Sequence, residues 1–171
     1  MMTYDLSRKM ERKFFQDELM RGRDYLEYTK EILLRGRIAA VKRGCYIGNT
    51  PPYGYKKIKI GKDHTLEIIE DEAEIVRLIF DQYVNHGKTY YQIACQLNDM
   101  KLPSPRGGEW TRDTIRKMLM NTHYVGKVSF NKIKHTTLVE NGVRITKKLT
   151  QPDEEVIMAE GKHPAIIDNE T

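Results

Sequence analysis

The sequence predicts a mainly helical α+β fold, in which a long N-terminal helix precedes a three-helix core that carries antiparallel β-hairpins. Residues 5 to 43 contain no proline and are rich in Glu, Lys, Arg, Leu and Met, which favour helix. Three shorter segments between residues 71 and 121 place apolar residues at helical spacing. Segments of alternating polarity at residues 55–69 and 125–150 surround glycine and indicate hairpins.

The first predicted element is one helix over residues 5–43, weakened at Gly22 and Gly36. At ~1.5 Å per residue this helix would be about 60 Å long, which a domain of this size cannot bury. Its apolar residues therefore predict contact with a partner helix, a neighbouring domain or a second subunit, although the N-terminal part would fray in isolation. These residues are Phe14, Phe15, Leu19, Tyr25, Tyr28, Ile32, Leu33, Ile38 and Val41.

Two core helices are predicted between residues 71 and 100. Asp71 followed by Glu74 is an N-terminal capping pattern for a helix that runs to about Asn85 and ends before Gly87. Thr89 is predicted to cap the next helix. The predicted core residues of the two helices are Ala73, Val76, Phe80, Val84, Ile93, Ala94 and Leu97.

A third helix is predicted from Thr111 to about Asn121, after a turn-rich loop over residues 101–110. Apolar residues Ile115, Met118 and Leu119 fall on one side of this helix, and the other side is basic. The last two helices resemble a helix-turn-helix motif with a long connecting loop. Because the second helix of that motif lies in the major groove, we expect contacts to DNA bases or phosphates from Arg112, Arg116 and Lys117. A merely solvated basic face is the alternative.

Positive charge is concentrated in two segments of the chain. Residues 30–62 contain nine basic residues and one acidic residue, a net charge of +8, whereas the whole chain carries +5. Residues 63–100 contain eight acidic and two basic residues, and residues 101–134 contain eight basic and two acidic residues. Two basic segments that flank an acidic one predict a domain with one face suited to a polyanion.

The connector from Gly44 to Pro52 is rich in glycine and proline and follows the basic pair Lys42 and Arg43. Basic arms of this kind enter the minor groove of DNA, although a plain interdomain linker is the alternative. The complete set of predicted DNA-binding residues is Arg37, Lys42, Arg43, Asn49, Arg106, Arg112, Arg116, Lys117 and Lys127.

The residues give no indication of catalytic or cofactor chemistry. Cys45 and Cys95 have no second ligand at metal-binding spacing, no phosphate-binding loop occurs, and no carboxylates cluster at metal-binding spacing. We therefore predict no catalytic residue, no metal and no cofactor. The histidines are interpreted as surface or loop residues, with His163 in a structural turn. The tyrosines at 53, 55, 90, 91 and 124 and Trp110 are interpreted as core anchors rather than base-stacking platforms.

Several motifs together resemble the recombinase domain of the large serine recombinases, from about Tyr28 to the C-terminus. They are RGRIAAVKRGCYIGNTPPYGY at residues 35–55, PSPRGGEW at 103–110, TRDTIRKMLMN at 111–121, YVGK at 124–127 and HPAIID at 163–168. The resemblance implies that residues 1–43 form a connecting helix, 44–54 a basic linker that crosses the minor groove, and 55–171 a DNA-binding domain. Residues 163–171 would lead to a zinc-ribbon region.

The resemblance further implies a fragment that binds its attachment site sequence-specifically without cutting it. The family's catalytic serine lies in a separate N-terminal domain, and none of Ser7, Ser104 and Ser129 occurs in its catalytic motif. The full protein would break and rejoin four DNA strands through phosphoserine linkages, as a tetramer of two DNA-bound dimers. We expect a cytoplasmic protein without a membrane segment.

Three alternatives remain open from the sequence. The first is a stand-alone DNA-binding regulator of the helix-turn-helix type that dimerises through the long helix. The second is an RNA-binding module, for which the aromatic strand and loop signatures are missing. The third is a nuclease with an unrecognised site.

Overall fold

The computed structural model describes residues 7–140 and 143–168. Its four helices in that part of the chain are α1 (Lys9–Lys42), α2 (Glu70–Val84), α3 (Tyr90–Asp99) and α4 (Arg112–Leu119). The strands are β1 (Tyr55–Ile60), β2 (Asp63–Ile68), β3 (Lys127–Phe130), β4 (Ile133–Glu140), β5 (Val143–Thr150) and β6 (Ile157–Glu160). Short 3-10 turns occupy Thr122–Val125 and Asp153–Glu155. The predicted α+β, mainly helical fold is confirmed.

The chain divides into two compact units, Met1–Ala39 and Ala40–Thr171. The first unit consists of the greater part of α1, which is continuous through Gly22 and Gly36. Large apolar side chains along it are exposed, among them Phe14, Tyr25 and Leu33. The long helix predicted from the sequence is therefore present, and its first predicted residues, 5 and 6, lie outside the described part.

The second unit begins with the hairpin of β1 and β2, which pair antiparallel from Tyr55 and Ile68 to Ile60 and Asp63. The hairpin leads directly into α2, whose N-cap is Ile69 and not the predicted Asp71. No side chain caps α2. Instead the Glu72 carboxylate accepts a 2.7 Å hydrogen bond from the Gly54 amide, so this acidic first turn bonds the connector.

Helices α2, α3 and α4 pack around one apolar core. Ala73, Val76 and Phe80 are buried as predicted, but Val84 is 45% exposed, because it is the last residue of α2 and lies one turn beyond Phe80. Thr89 caps α3 as the sequence predicts, and it does so through a reciprocal capping box with Gln92. The predicted buried residues Ile93, Ala94, Leu97, Ile115 and Met118 are all in the core.

Two further antiparallel pairs complete the unit. Strand β3 pairs with β6, and β4 pairs with β5 over eight positions. The turn predicted at Asn141 and Gly142 lies outside the described residues, as does the helix expected after Asp168. Cys45 and Cys95 are both free thiols.

The first part of the connector is built into the second unit. The Tyr46 amide donates to the His64 carbonyl at 2.8 Å, and the Lys162 amide donates to the Gly44 carbonyl at 2.9 Å. Gly44, Cys45 and Tyr46 are buried. Gly44 has φ +75°, and a Cβ atom at this position would collide with the Glu160 carbonyl oxygen. These residues are a fixed part of the fold.

His163 is buried and His123 is half-buried, so neither is a surface residue, while His163 lies outside the helices and strands as predicted. His163 is 5% exposed, its Nε2 lies 2.9 Å from the His123 carbonyl oxygen, and its ring meets Tyr55 edge-on at 5.5 Å. Burial lowers the pKa of His123 to about 4, and the neighbouring His163 adds to that effect. In the segment from His163 to Asp168, the side chains of His163, Ile166 and Ile167 are buried. The segment therefore packs against the rest of the second unit.

We predict that Gly44→Ala destabilises the domain far more than Gly61→Ala. Both glycines have positive φ, but a Cβ atom at Gly61 would meet open space. Gly61→Ala should therefore cost about 1 kcal/mol of conformational strain. Gly44→Ala should cost about 3 kcal/mol, because the Glu160 carbonyl must also move. Urea unfolding of both variants measures the difference. Equal losses of unfolding free energy would contradict the close approach of Gly44 to the Glu160 carbonyl.

We also predict that unfolding free energy falls as the pH drops from 6.5 to 4. The unfolded state binds a proton at His123 in this range while the folded state does not, so acid favours unfolding. The effect should approach about 3 kcal/mol at the acid end. His123→Gln should flatten the pH dependence of unfolding relative to the wild type. Parallel curves for His123→Gln and wild type would contradict the prediction.

Candidate nucleic-acid interface

The candidate interface is built on α3, α4 and the loop between them. Thr111 caps α4, and its hydroxyl oxygen accepts a 3.2 Å hydrogen bond from the Thr114 amide. Trp110 precedes the cap and is buried with Ile115, the pair expected of a hydrophobic staple. The helix therefore starts at a position fixed by both the backbone and the core.

The long loop before α4 is held by a small set of hydrogen bonds. The Asn98 side chain on α3 accepts from the Trp110 amide at 2.8 Å and donates to the Trp110 carbonyl at 3.0 Å. The Trp110 indole donates to the Leu102 carbonyl at 3.0 Å, and the Tyr53 hydroxyl donates to the Pro103 carbonyl at 2.8 Å. Although the loop is longer than a helix-turn-helix turn, these contacts fix the second helix relative to the first.

The solvent side of α4 carries the basic face that the sequence predicts. Arg112, Arg116 and Lys117 are exposed, as are Asp113 and Met120. Arg112 Nε lies 3.9 Å from an Asp113 carboxylate oxygen, and both side chains are about 70% exposed, so this contact contributes little. The cations of α4 are consequently accessible to a ligand while the opposite face is anchored in the core.

A groove of about 400 Å³ lies beside this face. The connector, the loop and α4 all line it, and the residues include Tyr53, Arg106, Glu109, Thr114, Lys117 and Asn121. Burial raises the pKa of Tyr53 to about 12, with a further effect from the Glu72 carboxylate, so its hydroxyl stays a donor to the loop at neutral pH. The groove thus brings together Arg106 and Lys117, which lie 11 positions apart in the sequence.

The predicted residues outside α4 have varied surroundings. Lys42 and Asn49 are exposed, and Asn49 lies in the exposed part of the connector with Thr50. Arg43 bonds the Asp63 carboxylate at 3.1 Å, and Lys162 approaches the same carboxylate at 3.5 Å. Hydrogen bonds from Cys45 and from Arg43 lower the pKa of Asp63. The charge of Arg43 is therefore partly offset within the fold.

The two remaining predicted residues are Lys127 and Arg37. Lys127 begins β3, is half-buried, and is paired in register with Glu160 of β6. Arg37 is exposed on α1, in the first unit. Lys127 is not among the residues that line the groove beside α4.

The sequence reasoning did not identify Thr114 and Asn121 as residues of this groove. Asn121 follows the last turn of α4, where its side-chain oxygen accepts from the His123 amide at 3.2 Å. The sequence could have indicated its place in the groove, because Asn121 is a polar residue directly after a basic helix. Tyr91, interpreted as a core anchor, is instead 67% exposed on α3. Tyr55, Tyr124 and Trp110 are buried, as expected of core anchors.

Within the described residues, no group of His, Cys, Asp or Glu side chains could hold a metal ion. Among the same residues, no helix has the length and apolar character needed to cross a membrane.

Comparison with known proteins agrees with this architecture. A family model described as Recombinase matches residues 70–171, which include α2, α3, α4 and the strands that follow. The chain belongs to the Recombinase family. A putative DNA recombinase of Bacillus subtilis (strain 168) is 36% identical over 103 residues, which cover 57% of this chain. This chain spans only 20% of that relative's length.

Solved structures share the fold of this recombinase domain at 18% identity. One, described as "Crystal Structure of a LSR-DNA Complex", has a TM-score of 0.55 and covers 82% of this chain and 38% of its own. Another, described as "Sequence Requirements of the Listeria innocua prophage attP site", has a TM-score of 0.53 and covers 81% and 46% respectively. The resemblance to the recombinase domain of large serine recombinases, stated above from motifs, is confirmed.

We predict that Asn98→Ala loosens the loop before α4. The substitution leaves the amide and carbonyl of the buried Trp110 without their side-chain partner, which should cost about 2 kcal/mol of unfolding free energy. Fluorescence of Trp110, the single tryptophan, should shift to longer wavelength before global unfolding. Asn49→Ala, at an exposed asparagine, is the control, and an unchanged fluorescence together with equal stability would contradict the role of Asn98.

Proposed function

We propose that this recombinase domain binds duplex DNA sequence-specifically, with α4 in the major groove. The observation that carries the proposal is the cationic face of α4, whose position is fixed from behind by the core and from the side by the Asn98 and Trp110 contacts. A helix of eight residues is about 12 Å long, similar to the width of the major groove. An anchored helix of this size can present its cations to base edges in a fixed register.

Roles for individual side chains follow from their chemistry. Arg116 is exposed in the last turn of α4 and can pair with the O6 and N7 atoms of a guanine. Arg106, Lys117 and Asn121 in the groove are suited to phosphate contacts, because these donors line one concave surface. Arg112 at the start of α4 completes the basic face.

The connector supplies a second part of the proposed interface. Lys42 and Asn49 are exposed on either side of the buried segment Gly44–Tyr46, and both are suited to contact the backbone of a minor groove. Arg43 is a weaker candidate because it bonds Asp63. Arg37 and Lys127 stay in the proposed set as phosphate contacts beyond the α4 surface.

In the full-length protein, we propose, this domain holds a serine-dependent catalytic domain on its attachment site for site-specific recombination. Support comes from the family and from solved neighbours described as an LSR–DNA complex and an attP study. The α1 helix would join the two domains, and its exposed apolar residues would meet another helix or subunit. Dimers and tetramers on DNA belong to the same proposal.

A stand-alone regulator that dimerises through α1 is the second candidate, and the exposed apolar residues of α1 favour it. The two candidates differ in what the full-length protein does on DNA. Recombination between two attachment sites by the full-length protein would exclude the regulator. Binding without recombination, even in the presence of both sites, would support it.

The proposed function is tested by selection from a random duplex library at moderate salt, followed by binding measurements on Arg116→Ala. We expect an enriched motif of about ten base pairs. Arg116→Ala should weaken binding to that motif by about 1 to 3 kcal/mol and relax the base preference at one of its positions. Arg77→Ala, an ion-paired arginine of α2, is the matched control and should bind as the wild type does. Absence of binding would sink the proposal, and an equal loss on all sequences would make Arg116 a phosphate contact.

A further inference from the structure

The hairpin of β4 and β5, here called the basic ribbon, differs from the other two strand pairs in its exposure. Every residue of β5 is exposed, including Val143 at 62% and Leu149 at 52%. On β4, Ile133 is 55% exposed and Leu138 is 41% exposed. Two-stranded hairpins with solvent on both faces are marginally stable in water, so a partner that covers the ribbon would stabilise it.

The charge of the basic ribbon indicates the kind of partner. Its two strands contain the basic residues Lys134, Arg144, Lys147 and Lys148 and one acidic residue, Glu140. Over residues 127–151 six basic residues stand against that one acid, a net charge of +5, which equals the net charge of the whole chain. A partner matched to this surface is a polyanion.

The register of the strands distributes these cations over both faces of the basic ribbon. Arg144 and Lys148 are four positions apart on β5 and share one face. Lys147 lies on the other face, where Lys134 also lies because it pairs with Leu149. Either face of the ribbon can therefore place cations against a phosphate backbone. This suits insertion into a DNA groove, which has phosphates along both of its edges.

The base of the basic ribbon is tied to the residues that follow α4. Lys132 Nζ lies 3.4 Å from the Thr122 hydroxyl, and Thr122 begins the 3-10 turn directly after Asn121 of the α4 groove. The Gln151 amide donates to the Lys132 carbonyl at 3.0 Å and closes the ribbon at its base. The Asn131 side chain, which follows β3, donates to the Glu155 carbonyl at 3.1 Å. The ribbon thus starts beside the surface proposed to meet DNA.

We propose that the basic ribbon is a second duplex-DNA contact that extends the site read by α4. The inference rests on the proposed function of the domain. A two-stranded ribbon fits a major groove. Eight residues per strand reach about 26 Å, or roughly eight base pairs along the duplex. The ribbon adds phosphate contacts outside the segment that α4 reads and gains order on binding.

The experiment compares two double variants of the 171-residue chain, Arg144→Gln with Lys148→Gln and Lys134→Gln with Lys147→Gln. Each removes two charges from one face of the basic ribbon. Lys9→Gln with Lys13→Gln removes two exposed charges from α1 and is the matched control. The measurements are the slope of binding constant against salt concentration and the hydroxyl-radical footprint on the selected motif.

At least one ribbon variant should lower the salt slope by about 1 to 2, since each lost phosphate contact contributes about 0.9. Its footprint should shorten on one side by several base pairs while the selected motif stays the same. Circular dichroism of each variant checks that the fold is retained. A slope and footprint equal to the control for both ribbon variants would overturn the inference.

Other outcomes distinguish the two proposals. If the wild type binds its motif and Arg116→Ala weakens that binding while both ribbon variants match the control, only the basic ribbon proposal fails. If the wild type binds no duplex, both proposals fail. Loss of self-association in a ribbon variant, with an unchanged salt slope and footprint, would assign the ribbon to a protein partner and overturn the DNA contact.

Discussion

Tyr124 is the residue through which the separate elements of the second unit are connected. It lies in the 3-10 turn after α4, and its hydroxyl donates to the Tyr53 carbonyl at 3.0 Å. Its own carbonyl accepts from the amides of Ile166 and Ile167 at 2.9 and 3.0 Å. Its ring stacks on Tyr55 at 6.0 Å and meets Phe80 edge-on at 5.8 Å. One buried residue thus joins Tyr53, the first hairpin, α2 and the C-terminal segment.

This arrangement explains how an eight-residue helix can serve as a rigid reading element. An isolated helix as short as α4 does not form stably in water, so its order must come from packing. Tyr124 holds its exit, Trp110 and Asn98 hold its entry, and Ile115 and Met118 anchor its inner face. The side chains on the solvent face of α4 take no part in these contacts. Its cations are therefore available for a ligand without cost to the fold.

The connector shows where chain composition alone misleads. Glycine and proline in residues 44–52 are typical of a flexible linker, yet Gly44 to Tyr46 are buried and bonded to β2 and to Lys162. Gly44 is needed because the backbone of Glu160 approaches it closely at positive φ. Composition reports which conformations are accessible to a segment, but not which long-range partner selects one of them. The same limit applies to Arg43, whose partner Asp63 lies 20 residues away.

The sequence by itself determined the local elements: α1, the first hairpin, the Thr89 cap, and the buried stripes of α3 and α4. These depend on residues within about one turn or strand of each other, so periodicity and capping patterns are sufficient. It also determined the basic face of α4, because 100° per residue separates Arg116 from Ile115 and Met118.

The tertiary structure alone decided the start of α2, the burial of His163 and the partial burial of His123. Glu72 bonds Gly54, 18 residues away, and His163 reaches His123 across 40 residues. It likewise decided that Arg106 and Lys117 share a groove and that the basic ribbon is exposed. Such contacts depend on which distant surfaces meet in the folded chain, and a single sequence carries no spacing rule for them.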